Sequence, residues 1–499
     1  LLDAAWDELQ RAVWSAAWQA PGYHALAEIA CLRGNFAEAL ALVERSLGRN
    51  SANTRALALR SAVLRRLDRP VEAYQNALAA AAVDPLDFRA VNELCLALAA
   101  VDETALAAED VERLGAWMRG EAQSYLELAV DYGGAGFYEE ACGVLERAAA
   151  AAGEGGVHPM VYYFLGWYSA KQGRAAEAAD CYRRAARLPS GGCFPLRFEA
   201  LDALADAMRV NPTDARAPYY LGNLLYDHQP RRAIEAWERA AALDPAFAPV
   251  HRNLANGYAW GVKDPARAIA SFEKAIALDP GNPRWYFELD GILEAAGAAV
   301  EKRLALLRAH AETVARRDDA MTRMLALLIR NGAEDEALAV LATRRFHNWE
   351  GSDEIHGVYV DACLTRGHRL FRAKDYAGAR AAYEAALLYP ENLEVGRPYR
   401  DYRAGEKHYF IGLAREALGD GAAARACFEK AAAHALEGAS EARYHQACAL
   451  RKLGRDEEAG RIFAGLAAHG AKEIAGAGAV DYFAKFGERR SERARIAQA

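Results

Sequence analysis

The sequence predicts an all-α fold, a right-handed α-α superhelix of about ten to eleven helix-turn-helix repeats. A run that begins with Leu-Gly, continues through Ala-Ile-Glu-Ala-Trp and ends in Leu-Asp-Pro occupies residues 221–245. A related run ends in Asp279-Pro280, 35 residues after Asp244-Pro245. The chain is also rich in alanine, which forms helices well and lets neighbouring helices approach closely. Repetition at this spacing indicates stacked helical hairpins, which add length without enlarging one central core.

The turn inside each repeat is marked by a residue that tolerates a left-handed backbone, most often glycine, with alanine a few positions into the next helix. Besides the two runs above, the pattern recurs at residues 34–39, 68–73, 136–141, 173–178, 332–337, 374–379, 419–424 and 454–459. Residues 285–307 keep the helical period but lack the turn residues. Ala233 and Ala268 are expected at close helix crossings, where a larger side chain would overpack.

These runs resemble the tetratricopeptide repeat (TPR). Residues 217–227, 344–351 and 389–396 further resemble the C-terminal repeat region of a bacterial family of unknown function, whose N-terminal part is an aldose-epimerase-like β-sandwich. This second resemblance implies that the chain is the helical half of such a protein. A carbohydrate context follows from it by analogy with the family.

The repeats and their interruptions divide the chain into five segments. These are degenerate TPR-like repeats at 1–118, a central array at 119–343, an inserted loop at 344–357, C-terminal repeats at 358–480 with an insertion at 389–404, and a capping helix or tail at 481–499. A further loop is expected at 188–195 because of its proline and glycine content. Long loops inside a repeat array are usually functional or contact another domain, so we expect specific function at these interruptions.

Composition excludes several classes of function. The 61 basic and 68 acidic residues are interspersed and give a formal net charge of −7, so no nucleic-acid partner is expected. Eight cysteines are scattered singly, without the pairs typical of disulfide frameworks or zinc sites, which favours free thiols in a reducing, cytoplasmic compartment. No apolar run approaches the roughly 18 to 20 residues that cross a bilayer, and the start lacks signal-peptide features. The missing initiator methionine indicates either processing or the C-terminal part of a longer protein.

The TPR resemblance implies a concave groove lined by the first helix of each repeat, with side chains one turn apart facing a ligand. The corresponding positions hold Tyr163, Trp167, Lys171, Tyr219, Asn223, Tyr226, Arg252, Asn256, Trp260 and Tyr286. Arg252 and Asn256 resemble half of the carboxylate clamp with which some TPR domains grip a peptide C-terminus. Asp290 and Glu294 in the following repeat are expected to repel a carboxylate. Trp167, Tyr219 and Tyr226 are expected to be exposed, and core packing is the alternative for the aromatic residues.

A loop containing His347, Trp349 and Glu350 mixes several possible ligands but has no fixed metal-binding spacing, and no catalytic motif is present. We therefore expect no metal, no cofactor and no catalytic residue, and interpret Trp349 as an anchor for a neighbouring domain or subunit. Two functions stay open. One is an interaction scaffold that binds a partner protein or extended peptide in the groove. The other is a helical half that docks onto a carbohydrate-active or carbohydrate-binding β-sandwich, and neither requires a membrane.

Overall fold

The chain folds into α-helical hairpins that stack in chain order. The computed structural model describes residues 1–152, 156–347, 354–434 and 442–476, and these residues form helices and connecting loops without any β-strand. They divide into two compact units, Leu1–Leu278 and Asp279–Ala499. Within each unit the two helices of a hairpin pack against each other, and neighbouring hairpins pack side by side. The described residues therefore form an all-α solenoid, as the repeat pattern predicts.

The described part of the first unit, which omits residues 153–155, contains sixteen α-helices, a 3₁₀-helix at Ala16–Trp18 and a π-helix at Gly257–Gly261 that continues α15. The α-helices are α1 (Leu2–Ala12), α2 (Gln19–Leu32), α3 (Phe36–Leu47), α4 (Thr54–Arg66), α5 (Pro70–Val83), α6 (Phe88–Ala100), α7 (Thr104–Met118), α8 (Ala122–Gly134), α9 (Tyr138–Ala151), α10 (Pro159–Lys171), α11 (Ala175–Ala185), α12 (Glu199–Val210), α13 (Arg216–Leu225), α14 (Pro230–Leu243), α15 (Ala248–Asn256) and α16 (Pro265–Leu278). Helices α2 to α11 pair consecutively, and α13–α14 and α15–α16 are the last two hairpins of this unit.

The described part of the second unit contains eleven α-helices and a 3₁₀-helix at Glu391–Leu393. The α-helices are α17 (Pro283–Ala295), α18 (Val300–Ala309), α19 (Ala311–Val314), α20 (Asp318–Arg330), α21 (Glu334–Thr343), α22 (Glu354–Arg372), α23 (Tyr376–Ala385), α24 (Ala404–Ala417), α25 (Gly421–Ala432), α26 (Ala442–Lys452) and α27 (Asp456–Gly476). The hairpins here are α17–α18, α20–α21, α22–α23, α24–α25 and α26–α27.

Most of the hairpin turns place one residue in the left-handed backbone region. Glycine takes this position in most turns, for example Gly34 at φ 76° and Gly419 at φ 81°, because it adopts positive φ without a steric penalty. Asp102 adopts φ 63° in the turn between α6 and α7. The sequence analysis did not include this hairpin, although Asp102 stands five residues before Ala107, the same spacing as Asp68 and Ala73 in the predicted turn at 68–73.

A glycine in the first helix of several hairpins packs directly under an aromatic ring of the second helix. A Cβ added to Gly222 would lie 2.3 Å from Nε1 of Trp237, and one added to Gly412 would lie 2.5 Å from Cε1 of Phe428. The alanines predicted at crossings, Ala233 and Ala268, are fully buried. Small residues therefore set the close approach of the two helices, and a larger side chain would force the ring to move.

Buried ion pairs connect early helices of the first unit that are far apart in sequence. The guanidinium of Arg65 in α4 donates to Glu93 in α6 at 3.0 Å and to Glu140 in α9 at 3.1 Å. The hydroxyl of Tyr132 in α8 donates to the same Glu93 carboxylate at 2.8 Å. Both carboxylates are buried, so removal of one partner would leave an uncompensated buried charge. These polar side chains bond to one another and are not open to a ligand.

The interruptions of the repeat pattern differ in structure from simple loops. Residues 188–198 form an irregular connection as expected, but α12 follows it as an additional helix that packs against α10 and α13. In the insertion at 389–404, the side-chain amide of Asn392 donates to the carbonyls of Leu341 and Arg344 at 2.8 and 2.7 Å. The five-segment division stays a prediction, and its last segment, residues 481–499, lies outside the described residues.

Candidate functional site

Three of the predicted groove residues lie in the interior of the helix packing. Tyr163 and Tyr286 are fully buried, and Tyr219 is 8% exposed. The hydroxyl of Tyr163 donates to Asp214 at 2.8 Å, and the hydroxyl of Tyr286 donates to the carbonyl of Pro280 at 2.9 Å. The expected exposure of Tyr219 is wrong, because its ring packs edge to face on Phe247 at 4.8 Å between centroids. These three rings are core residues in this structure.

Asn223 is the central residue of a polar network on α13, α14 and α15. Its Oδ1 accepts hydrogen bonds from Nε1 of Trp237 at 3.1 Å and from Nδ2 of Asn253 at 2.7 Å. Both donors belong to buried residues, so the two bonds fix which end of the Asn223 amide faces inward. Among the described residues the Nδ2 group of Asn223 donates no hydrogen bond. The half-buried amide thus keeps a donor that a bound molecule can use.

The network continues along α15. Nη1 of Arg252 donates to Oδ1 of Asn253 at 3.1 Å, and Nδ2 of Asn256 donates to the carbonyl of Arg252 at 3.2 Å. The hydroxyl of Tyr226 on α13 donates to the carbonyl of Asn256 at 3.2 Å. Burial raises the pKa of Tyr226, so its phenol stays a neutral donor. Arg252 and Asn256 also make further contacts within the chain, and all these residues are half-buried or buried.

We call this surface the α13–α15 wall and define it as Asn223, Tyr226, Arg252, Asn253 and Asn256 together with Trp260. Trp260 lies in the π-helix that continues α15 and is 49% exposed. The structure therefore brings together five of the ten predicted groove residues. Sequence reasoning missed Asn253 and the role of Trp237, although Trp237 stands in the middle of the repeat run that identifies the fold.

Trp167 and Lys171 form a separate pair on α10. Nζ of Lys171 lies 5.4 Å from the centroid of the Trp167 ring, a cation–π distance. Trp167 is half-buried and Lys171 is exposed. No hydrogen bond among the described residues joins this pair to the α13–α15 wall, so the structure does not place the ten predicted residues on one continuous network.

Asp290 and Glu294, which the sequence suggested would repel a carboxylate, are neutralised within the second unit. Asp290 is fully buried, and its two oxygens accept from Nε and Nη2 of Arg303 at 2.7 and 2.8 Å. Glu294 accepts from Arg303 at 3.0 Å and from Arg323 at 2.6 Å. Burial alone would raise the pKa of Glu294, but the hydrogen bond and charge of Arg323 hold it below its usual range. The acidic pair is thus part of a compensated ionic cluster.

The predicted docking loop is only partly described. The backbone N–H of His347 donates to Asp318 at 3.0 Å, and its imidazole lies 3.4 Å from Glu394 while staying largely exposed. Trp349 and Glu350 lie outside the described residues, so their anchoring role stays a prediction. The cysteines are free thiols, seven of them buried and Cys448 half-buried. Burial raises the pKa of Cys31 to about 12, which disfavours its thiolate.

Two further properties concern only the described part of the chain. No group of three or more His, Cys, Asp or Glu side chains there is arranged to hold a metal ion. No described helix combines the length and apolar character required to cross a bilayer. The absence of a metal, a cofactor and a membrane partner stays a prediction.

Comparison with known proteins shows which family of helical repeats these hairpins resemble. A family model described as tetratricopeptide repeat matches residues 126–192 and 223–283, which include most of α8, all of α9 to α11, the end of α13 and all of α14 to α16. Among solved structures, TTC0263, a thermophilic TPR protein in Thermus thermophilus, is 19% identical over 42% of this chain and 99% of its own, with a TM-score of 0.25. MamA 41-end from Desulfovibrio magneticus is 20% identical over 40% of this chain and 97% of its own, with a TM-score of 0.24. These similarities do not identify a ligand or partner of this chain. They also do not show the relationship to the family with the N-terminal β-sandwich. The described chain is an all-α solenoid that contains tetratricopeptide repeats.

Proposed function

We propose that this protein is an interaction scaffold whose α13–α15 wall binds an extended segment of a partner protein. The observation that carries the proposal is the fixed amide of Asn223. Its acceptor oxygen is occupied by Trp237 and Asn253 at 3.1 and 2.7 Å, which leaves its donor for a ligand. An amide donor held in one orientation suits a backbone carbonyl, which every extended peptide presents at regular spacing.

The rest of the wall supports a peptide more than a small polar molecule. Tyr226 on α13 and Trp260 in the π-helix that continues α15 provide aromatic surface, and aromatic side chains supply large contact area at low conformational entropy cost. The hydrogen bonds among Asn253, Arg252 and Asn256 hold the polar groups in place before binding, which reduces the ordering cost of association. A partner with alternating apolar side chains and free backbone carbonyls matches this surface.

The experiment is a selection of random ten-residue peptides on the full chain, followed by affinity measurement on the selected sequences. The first variant is Asn223→Asp, which keeps an oxygen for Trp237 and Asn253 but replaces the Nδ2 donor with an acceptor. We expect it to weaken binding at least about tenfold, because the carboxylate faces the peptide carbonyl. Retention of full affinity by a folded Asn223→Asp protein would contradict the role of the amide.

The second variant is Trp260→Ala, and its matched control is Trp117→Ala. Trp117 lies on α7 of the same unit and is 37% exposed, against 49% for Trp260. We expect Trp260→Ala to lower affinity about tenfold, since it removes an aromatic anchor from the proposed binding surface. Trp117→Ala should leave affinity unchanged, because Trp117 lies on α7, outside the α13–α15 wall. Equal effects of the two substitutions would place the peptide elsewhere.

A further inference from the structure

The insertion between α23 and α24 carries a basic and aromatic loop over residues 396–403. A cavity of about 260 Å³ opens against it and is lined by Arg397, Pro398, Tyr399, Arg400, Asp401, Ala404 and His434. The ring of Tyr399 is fully exposed, and Tyr402 is 70% exposed. Two large aromatic side chains and two guanidinium groups are therefore presented to solvent within eight residues. Nothing in the packing of the hairpins requires this arrangement.

The base of the loop is held rigidly. Asp401 accepts a hydrogen bond at 2.7 Å from Nζ of Lys407, which is 1% exposed, and another at 2.9 Å from the backbone of Arg403. Burial would raise the pKa of Asp401, but the hydrogen bond and charge of Lys407 keep it below its usual range, so the carboxylate stays ionised. Arg403 in turn donates to Asp361 at 2.7 Å and to Glu406 at 2.9 Å. A fixed base lets the loop present its side chains with little ordering cost.

Two cations of the loop have no ion-pair partner among the described residues. Lys407 pairs with Asp401, and Arg403 pairs with Asp361 and Glu406. Arg397 and Arg400 are exposed and have no hydrogen bond or ion pair among the described residues. Since Asp401 already accepts from Lys407 and Arg403, its charge is compensated locally. The cavity wall thus has a surplus of guanidinium donors.

Two other residues of the cavity wall favour an anion. Ala404 is the first residue of α24, and its N–H already donates to the carbonyl of Asp401 at 3.0 Å, so α24 contributes the positive end of its helix dipole. Nδ1 of His434 is buried and has no hydrogen-bond partner among the described residues. In the tautomer protonated at Nδ1, this nitrogen donates. Two guanidinium groups, the imidazole of His434 and the positive end of the α24 dipole therefore surround one small volume.

We propose that this cavity binds a small phosphate monoester, with the phosphate between Arg397 and Arg400 and the organic part against the ring of Tyr399. A phosphate supplies several acceptor oxygens, and guanidinium groups bind it through paired hydrogen bonds. The volume suits a phosphate with a compact ring attached, not the surface of a folded partner. Tyr399 supplies a flat face on which such a ring stacks.

Titration of the full chain with phenyl phosphate and with inorganic phosphate, followed by calorimetry, tests the proposal. We expect phenyl phosphate to bind at least about tenfold more tightly than phosphate, and Tyr399→Ala to remove that difference. Arg397→Gln and Arg400→Gln should each weaken both probes about tenfold or more. The matched control is Arg425→Gln, which removes an equal charge from an exposed pair with Glu429 on α25.

Three results would overturn the proposal. One is the absence of saturable binding of either probe to the wild-type protein. Another is an equal loss of affinity in Arg400→Gln and Arg425→Gln, which would indicate general electrostatic attraction. The last is binding of an acidic peptide at the loop with no competition from phenyl phosphate, which would assign the loop to a protein partner. Circular dichroism of each variant confirms that the fold is retained.

Discussion

Gly222→Ala tests the packing that underlies both the fold and the α13–α15 wall. The added methyl carbon would lie 2.3 Å from Nε1 and 2.5 Å from Cδ1 of Trp237, far inside van der Waals contact. The indole cannot shift freely, because its N–H donates to the carbonyl of Tyr219 and to Asn223, each at 3.1 Å. The substitution therefore forces either strain or the loss of a buried hydrogen bond.

The magnitude follows from three contributions. Overpacking by one methyl group destabilises a core by about 1–3 kcal/mol, and loss of the indole hydrogen bonds adds about 0.5–1.5 kcal/mol. Replacement of glycine by alanine inside a helix stabilises the folded state by about 0.5–1 kcal/mol, which offsets part of this loss. Together these contributions give a net loss of about 0.5–4 kcal/mol. Gly143→Ala in α9 is the matched control, since nothing lies within 4 Å of its added Cβ, and we expect it to stabilise by about 0.5–1 kcal/mol.

The assay is urea unfolding of the full chain combined with amide hydrogen exchange of α13 and α14. Exchange is needed because repeat arrays can lose cooperativity, so that a local loss is diluted in the global transition. Gly222→Ala should lower the protection of α13 and α14 and weaken peptide binding through Asn223. If Gly222→Ala and Gly143→Ala leave the exchange of these helices equally protected, the close packing described above is refuted.

Three other substitutions extend the test to both units. Ala268→Leu should destabilise by about 1–3 kcal/mol because Ala268 is fully buried, whereas Ala270→Leu on the exposed face of α16 should change the melting temperature little. Asp290→Ala should cost about 3–5 kcal/mol in chemical unfolding because it leaves two guanidinium groups of the cluster, Arg303 and Arg323, with the single carboxylate of Glu294, and the double change Asp290→Leu with Arg303→Met should recover most of the loss. The depressed pKa of Asp401 stabilises the fold above about pH 4. The stability gap between wild type and Asp401→Asn should therefore shrink in unfolding experiments as pH falls below that value, and a gap independent of pH would contradict this assignment.

Local sequence signals identified the hairpins wherever their turns follow the common chemistry. Gly34 and Gly419 mark turns because glycine is the residue that adopts positive φ without strain. Asp68 and Asp102 make the same turn with an aspartate, and only the first was predicted, although Ala73 and Ala107 follow them at the same spacing. Helix α12 was not predicted, because it belongs to no repeat and the repeat period therefore predicts no helix at its position.

The candidate site was predictable in outline only. Asn223, Tyr226, Arg252 and Asn256 were found from their spacing on the first helix of each repeat, and the structure joins them through Asn253. Periodicity could not show that Asn253 completes the network, because the hydrogen bond from Asn253 to Asn223 depends on how α13 and α15 pack. The same limit applies to the loop at 396–403, whose fixed base depends on a lysine in the following helix.

The sequence by itself determined that the chain is helical, where most hairpins turn and which small residues lie at helix crossings. These properties depend on interactions within one hairpin, so the local period records them. Tertiary structure decided which side chains on the predicted face are open. Tyr219 is buried because Phe247 of the next hairpin covers it, while Trp260 stays 49% exposed. The burial of a side chain depends on which residues of the neighbouring hairpin pack against it. The spacing of residues along one helix does not contain that information.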